Sequence, residues 1–181
     1  MAKVDVGEDF FKLLHPKLTT LIISQAEDGR VNVMACSWIM PVSEDPPKIA
    51  LSIWRESYTY ELISRVGEFT VNIPLATHLK EVWLAGSKSG REFDKVSAIK
   101  MTLKPAKLVK PPIIEECIGH LECKVCDKVN AGECTVYIAD VLAAYADEQH
   151  FKKVWDVYKA NVLMHLGGRA FTTLAKHVLR A

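Results

Sequence analysis

Long apolar runs are missing from this chain. No stretch reaches the roughly 18 consecutive apolar residues of a membrane-spanning helix, so no segment reads as a span. The N-terminus, MAKVDVGEDFFKLLHPK, carries acids early and lacks an apolar core segment, which argues against a signal peptide. Excess charge is missing too. Against 23 Lys and Arg stand 22 Asp and Glu, a net charge of +1. That balance cannot neutralise a phosphate backbone, so nucleic-acid binding is excluded as the main role, though a local anion site is not. Neither GxGxxG, a Walker loop nor a GxSxG elbow occurs, which leaves dinucleotide folds, P-loop enzymes and α/β-hydrolases without support. The histidines at 15, 78, 120, 150, 165 and 177 show no HxH or HExxH spacing. Cysteine numbers five, an odd count, in a chain whose size needs no staple; free thiols and a reducing, cytoplasmic setting are expected.

What is present fits one globular domain over residues 1–181. The chain is 49% hydrophobic, and a chain of this length buries about 70% of its unfolded surface. Leu18 to Ser24 and Val31 to Trp38 are strand-like runs flanking Glu27-Asp28-Gly29-Arg30, a hairpin signal because Gly accepts the positive φ of such turns. Asp45-Pro46-Pro47 bounds a third strand, Lys48 to Trp54. Ser57 is placed to cap a helix with the apolar stripe Tyr58, Leu62, Ile63 and Val66, and Gly67 to end it. Phe69 to Ile73 returns as a strand. A second helix is predicted from Thr77 to Ala85, then a loop Gly86 to Gly90. Gly119 to Asp127 and Cys134 to Ala144 flank a turn at Asn130-Ala131-Gly132. Helical turns are expected within Glu148 to Trp155, and strands at Val162 to Leu166 and Ala170 to Leu174. The sum is a mainly β chain of seven or so strands, a closed or nearly closed barrel with short helical insertions.

Three constellations carry chemistry or its denial. Cys117, Cys123, Cys126 and Cys134 include a CxxC, but a spacing of three on a strand puts Cys123 and Cys126 on opposite faces. No metal site is expected there, only core thiols. Arg55-Glu56-Ser57-Tyr58-Thr59 follows a strand and opens a helix. Its unpaired N–H groups, hydroxyls and guanidinium suit a phosphate, and equally an ordinary capped helix. Asn32 to Trp38 places small and polar residues mid-strand, where a flat ligand can approach the backbone. Among the histidines, His165 beside Gly167-Gly168 is best placed for chemistry.

In order, NVMACSWIMPVSEDPPKIALSI, RESYTYELISRVGEFTVNIP, SGREFD, VKPPIIEECIGHLECKV and VLMHLGGRAF resemble the flavin reductase-like family of FMN-binding split barrels. The likeness runs from about Leu14 to Leu174 and is nearest the flavoredoxin-like branch. It implies a six-stranded Greek-key split β-barrel that forms a homodimer and holds FMN near the interface. It implies that Met34, Ala35, Cys36, Ser37 and Trp38 lie against the isoalloxazine ring, and that Ser52, Ile53 and Trp54 border the ribityl chain. Arg55, Ser57 and Thr59 match the phosphate segment, with Asn72, Arg91 and Phe93 as further contacts. His165 and the 86–90 loop would border the open side of the ring. The implied activity is an NAD(P)H-dependent flavin or acceptor oxidoreductase, with NADH or NADPH as transient donor. The alternative is an electron-transfer flavoprotein working between protein partners.

Overall fold

The computed structural model describes residues 1–180. Its strands are β1 Lys17–Leu18, β2 Thr20–Gln25, β3 Val31–Cys36, β4 Ile39–Ser43, β5 Lys48–Trp54, β6 Glu68–Ile73, β7 Leu103–Lys104, β8 Ile113–Ile114, β9 Gly119–Ala131, β10 Cys134–Ala146, β11 Leu163–Gly167 and β12 Ala170–Thr173. The helices are α1 Tyr58–Val66, α2 Leu79–Ser87 and α3 Lys95–Ala98. Seven strands form one antiparallel sheet in the order β3-β2-β6-β9-β10-β5-β4.

The two edges of that sheet, β3 and β4, are joined by Ser37 and Trp38 alone. Three peptide steps span at most about 11 Å, so the sheet must roll until its edges nearly meet. The Ser52 N–H donates to the Trp38 carbonyl at 2.9 Å and anchors the link to β5. The β3 and β4 edges do not pair with each other, which leaves the barrel split at that point.

Alternation along the strands fills two layers. Ile22, Leu51, Ile53, Phe69, Val71 and Tyr137 fill the barrel interior. Leu21, Ile23 and Val33 point outward, where Val82 and Ala85 of α2, Ile99 and Ile114 cover them. Leu21, Ile22 and Ile23 are therefore all fully buried, as the unbroken apolar run requires.

Asp28-Gly29 makes the predicted hairpin, with Gly29 at φ 90°. Ser57 caps α1 by accepting from the Tyr60 N–H at 3.2 Å, and Gly67 ends it in the left-handed region. Several expectations change. The run through Trp38 ends as a strand at Cys36, and Ile39–Ser43, to which the sequence assigned no element, forms a further strand at the edge of the sheet. Pro41 is tolerated there because β4 is an edge, with a register shift between Pro41 and Ser43. The second helix runs on to Ser87, past the predicted break, and α3 was not foreseen. Residues 148–155 form turns closed by a bridge between Phe151 and Trp155, whose rings meet edge to face at 5.0 Å; no helix forms.

Cys123 is buried in the core and Cys126 is exposed on a bulge, since Ile138 pairs with Asp127 and Ala139 with Val125. The face of β9 that alternation marks as polar is buried as well: His120 and Glu122 lie beneath the strap formed by residues 105–118.

Candidate active site

The split opens into a cleft of about 510 Å3. One wall is the end of β3 with its link, Met34, Ala35, Cys36, Ser37 and Trp38; another is the end of β5, Ser52, Ile53 and Trp54. The first turn of α1, with Ser57 and Thr59, closes one end, and residues 85–90 with Lys95 face it. A Cβ added to Gly86 would come within 3.2 Å of the Ala35 Cβ, so the end of α2 approaches β3 closely beside the cleft.

The polar groups at the α1 end are arranged by Asn32. Its Nδ2 donates to Thr59 Oγ1 at 2.9 Å, while its buried Oδ1 has no partner. Gly90 sits against that oxygen, and a Cβ there would overlap it, so only glycine fits the turn. Lys95 is 5% exposed, and its Nζ donates to the Ala85 carbonyl at 3.0 Å. Burial lowers its pKa to about 8. An ammonium has three donors, and this one has a single acceptor. Burial raises the Cys36 thiol to about 11, so it stays protonated and inert near neutral pH.

Four expected contacts lie elsewhere. Arg55 turns away and donates to the Gly132 carbonyl at 2.5 Å, in the β9–β10 turn. Asn72 is fully buried: its Nδ2 donates to the Leu21 carbonyl and Thr70 Oγ1, and its Oδ1 accepts from the Ile114 N–H and His120 Nδ1. Arg91 donates to the Glu56 carbonyl at 2.7 Å, pairs with Glu61 and lies over the Tyr58 ring. Phe93 lines a neighbouring cavity that shares Tyr58, Gly90 and Lys95 with the cleft. Arg55 does not line the cleft; the cationic side chains that do are Lys88 and the buried Lys95. No local signal marks that lysine, because lysine is ordinarily solvent-exposed.

His165 lines a second, smaller cavity that meets the cleft at Ala35, Cys36, Ser37 and Gly86. Its Nε2 lies 3.1 Å from the Gly168 carbonyl, which only accepts, so Nε2 carries the proton. In the neutral ring Nδ1 is then an acceptor, and Ser37 Oγ donates to it at 3.2 Å. His15 Nδ1 donates to the His165 carbonyl at 3.0 Å, and burial lowers the His15 pKa.

A helix N-terminus, two hydroxyls and an underused buried ammonium fit a phosphate, and the small-residue strand fits a flat ring system. The family model described as "Flavin reductase like domain" matches residues 13–173. The chain belongs to that family. Membership places it among proteins of flavin redox chemistry. An uncharacterized Archaeoglobus fulgidus member is 35% identical over 166 residues, which is 91% of this chain and 92% of that one. An "FMN reductase (NADH)" of Bradyrhizobium diazoefficiens is 28% identical over 123 residues, 68% of this chain and 66% of its own length. The flavoredoxin of Desulfovibrio vulgaris (Miyazaki F) superposes with a TM-score of 0.89 at 25% identity, covering 99% of this chain and 97% of that one.

Proposed function

We propose that the protein binds FMN in the split-barrel cleft and acts as an NAD(P)H-dependent flavin or acceptor oxidoreductase. The observation that carries this is the pairing of the capped α1 N-terminus with buried Lys95 at one end of a cleft walled by Met34 to Trp38. The α1 amides, the Ser57 and Thr59 hydroxyls and Lys95 hold the phosphate. Ser52 to Trp54 border the ribityl chain, and backbone groups of Ala35 to Ser37 meet the polar edge of the ring. Bound FMN supplies the redox centre, so the chain itself needs no nucleophile or triad. His165 and residues 86–90 flank the side from which a nicotinamide approaches.

Likeness to flavoredoxin favours a second reading, in which electrons pass between protein partners. One experiment separates the two. FMN added to the protein should lose fluorescence, and anaerobic NADH or NADPH should then bleach the bound flavin. Undiminished fluorescence sinks FMN binding; quenching without bleaching by either nicotinamide transfers support to the electron-carrier reading.

The proposal includes a homodimer. Edge strand β4 exposes Met40 and Val42, and Trp54 is 51% exposed beside the cleft. An unpaired edge with apolar side chains is a natural partner surface. Light scattering at micromolar concentration should give twice the 20.3 kDa chain mass, and a monomer mass would refute it. The five free cysteines suit a cytoplasmic setting.

A further inference from the structure

The N-terminal 3-10 helix, Gly7–Leu14, has no task in that proposal, and none of its residues is buried. Phe10, Leu13 and Leu14 are all exposed. Three contacts hold the segment. The Phe11 ring meets the Trp38 ring edge to face at 5.9 Å. The Lys12 stem lies over Gly167, where an added Cβ would stand 3.4 Å from Lys12 Cγ. His15, just past the helix, donates from Nδ1 to the His165 carbonyl at 3.0 Å, and the two rings meet edge to face at 5.2 Å. The segment thus bridges Trp38, a wall of the cleft, and the β11–β12 hairpin that carries His165.

His15 decides how that bridge responds to a proton. The His165 carbonyl only accepts, so His15 Nδ1 carries the hydrogen and Nε2 of the neutral ring is a bare acceptor. That nitrogen is buried and has no partner. A second proton can enter the ring only there, where nothing accepts it. Neighbouring charges oppose it as well: His165 of β11 and Lys17 of β1 both face the ring, and no carboxylate acts on it among the described residues. On the segment itself Lys12 is a further cation, and Asp9 is held by that lysine at 2.7 Å. Ser37 Oγ, on the link beyond, is committed to His165 Nδ1.

We propose that Gly7–Leu14 is an acid-released strap at the mouth of the cleft, fastened while His15 is neutral and lifted from Trp38 when His15 takes a proton. The assignment does not rest on the flavin reading. Once lifted, His15 is hydrated and titrates near the ordinary histidine value of about 6.5. Burial holds the fastened ring below that value. As pH falls below about 6.5 the released form therefore gains by up to about tenfold per unit, until the fastened ring itself protonates.

Amide hydrogen exchange on the full chain, corrected for the intrinsic rate at each pH, tests this. Protection of the Asp9 and His15 amides, which donate to the Val6 and Lys12 carbonyls, should fall by up to about tenfold between pH 7.5 and 5.5. The β6 amides should stay protected, which shows the barrel still folded. Acrylamide quenching of Trp38, isolated by difference from Trp38→Phe, should rise over the same range. His15→Gln, which cannot titrate, should abolish the pH dependence. Phe11→Ala should speed exchange at every pH and keep the slope. Protection that is flat from pH 7.5 to 5.5, a slope that survives in His15→Gln, or Trp38 quenching that does not follow the exchange overturns the proposal. Failure to take up FMN, with the strap's pH response intact, refutes the proposed function and leaves this one standing.

Discussion

Glu122→Gln should lower stability by about 3 kcal/mol or more at neutral pH. Glu122 is fully buried, and its carboxylate holds the strap across β6 and β9. Oε1 accepts from the Lys107 N–H and the Tyr145 hydroxyl, both at 2.9 Å; Oε2 accepts from the Leu108 and Val109 N–H groups at 2.6 and 3.3 Å. Glutamine keeps the volume but turns one oxygen into a donor, so two of these donors face an NH2 group. Each stranded donor costs about 1–3 kcal/mol. Burial pushes the Glu122 pKa up, but the bonds from Lys107, Leu108, Tyr145 and Val109 outweigh it, and the value lies below that of an ordinary glutamate. Its contribution is therefore complete above the unfolded pKa, about 4.3, and lost as pH falls through the lower folded value. Urea midpoints should differ widely at pH 7 and converge on acidification. Matching midpoints at pH 7 would remove Glu122 from the list of structural anchors. Glu68, which holds the Lys110 N–H at 3.0 Å in an exposed setting, serves as the mild control.

Lys95→Met should weaken FMN binding by about 1.5–3 kcal/mol, roughly 10- to 150-fold, and leave riboflavin binding nearly unchanged. Arg55→Ala should alter neither, because that guanidinium is occupied at Gly132. Titrating both ligands into both variants decides between the two cations; a loss confined to Arg55→Ala would return the phosphate to the position read from sequence. The pH dependence follows from the lowered pKa of about 8. Above it, Lys95 of the ligand-free protein is neutral and must take up a proton to meet a phosphate. FMN affinity should then fall by up to about tenfold per pH unit between 8 and 10, while riboflavin affinity stays flat. In the unliganded protein the sign reverses. From about pH 8 to the unfolded lysine value near 10.4, the unfolded chain holds the extra proton, so Lys95 penalises folding less as pH rises.

Local rules carried much of the fold. Asp28-Gly29, the Ser57 cap and Gly67 all act within a few residues, and the first hairpin and α1 lie where those residues put them; the turn expected at Asn130-Ala131-Gly132 falls instead at Gly132-Glu133, because Asn130 and Ala131 pair with Thr135 and Cys134. The residues that the family resemblance implied at Met34 to Trp38 and at Ser57 and Thr59 do line the cleft. Long-range burial escaped. Glu122 looks like a solvent-facing strand position until the strap covers it, and Asn72, read from the resemblance as a cofactor contact, is enclosed by the same strap. Lys95 looks like a surface lysine until α3 packs it beneath the end of α2. Phe151 and Trp155 have helical spacing, but they satisfy each other across a turn. Pro41 hid an edge strand, since its missing N–H matters only where a neighbour needs it.

The order of strands around the rolled sheet also sets when the site comes into being. The β2–β3, β4–β5 and β9–β10 hairpins are local and can form early, whereas pairing Lys48 with Asp140, or Ile22 with Val71, must close long loops. Such topologies fold in milliseconds to seconds rather than microseconds. The cleft draws its walls from β3, β5, α1, residues 85–90 with Lys95, and the β9–β10 turn, so it is complete only after the last of these closures. A ligand that needs all of these walls therefore binds after they have closed. It prolongs the life of the folded state by binding that state alone, and it leaves the speed of arrival there untouched.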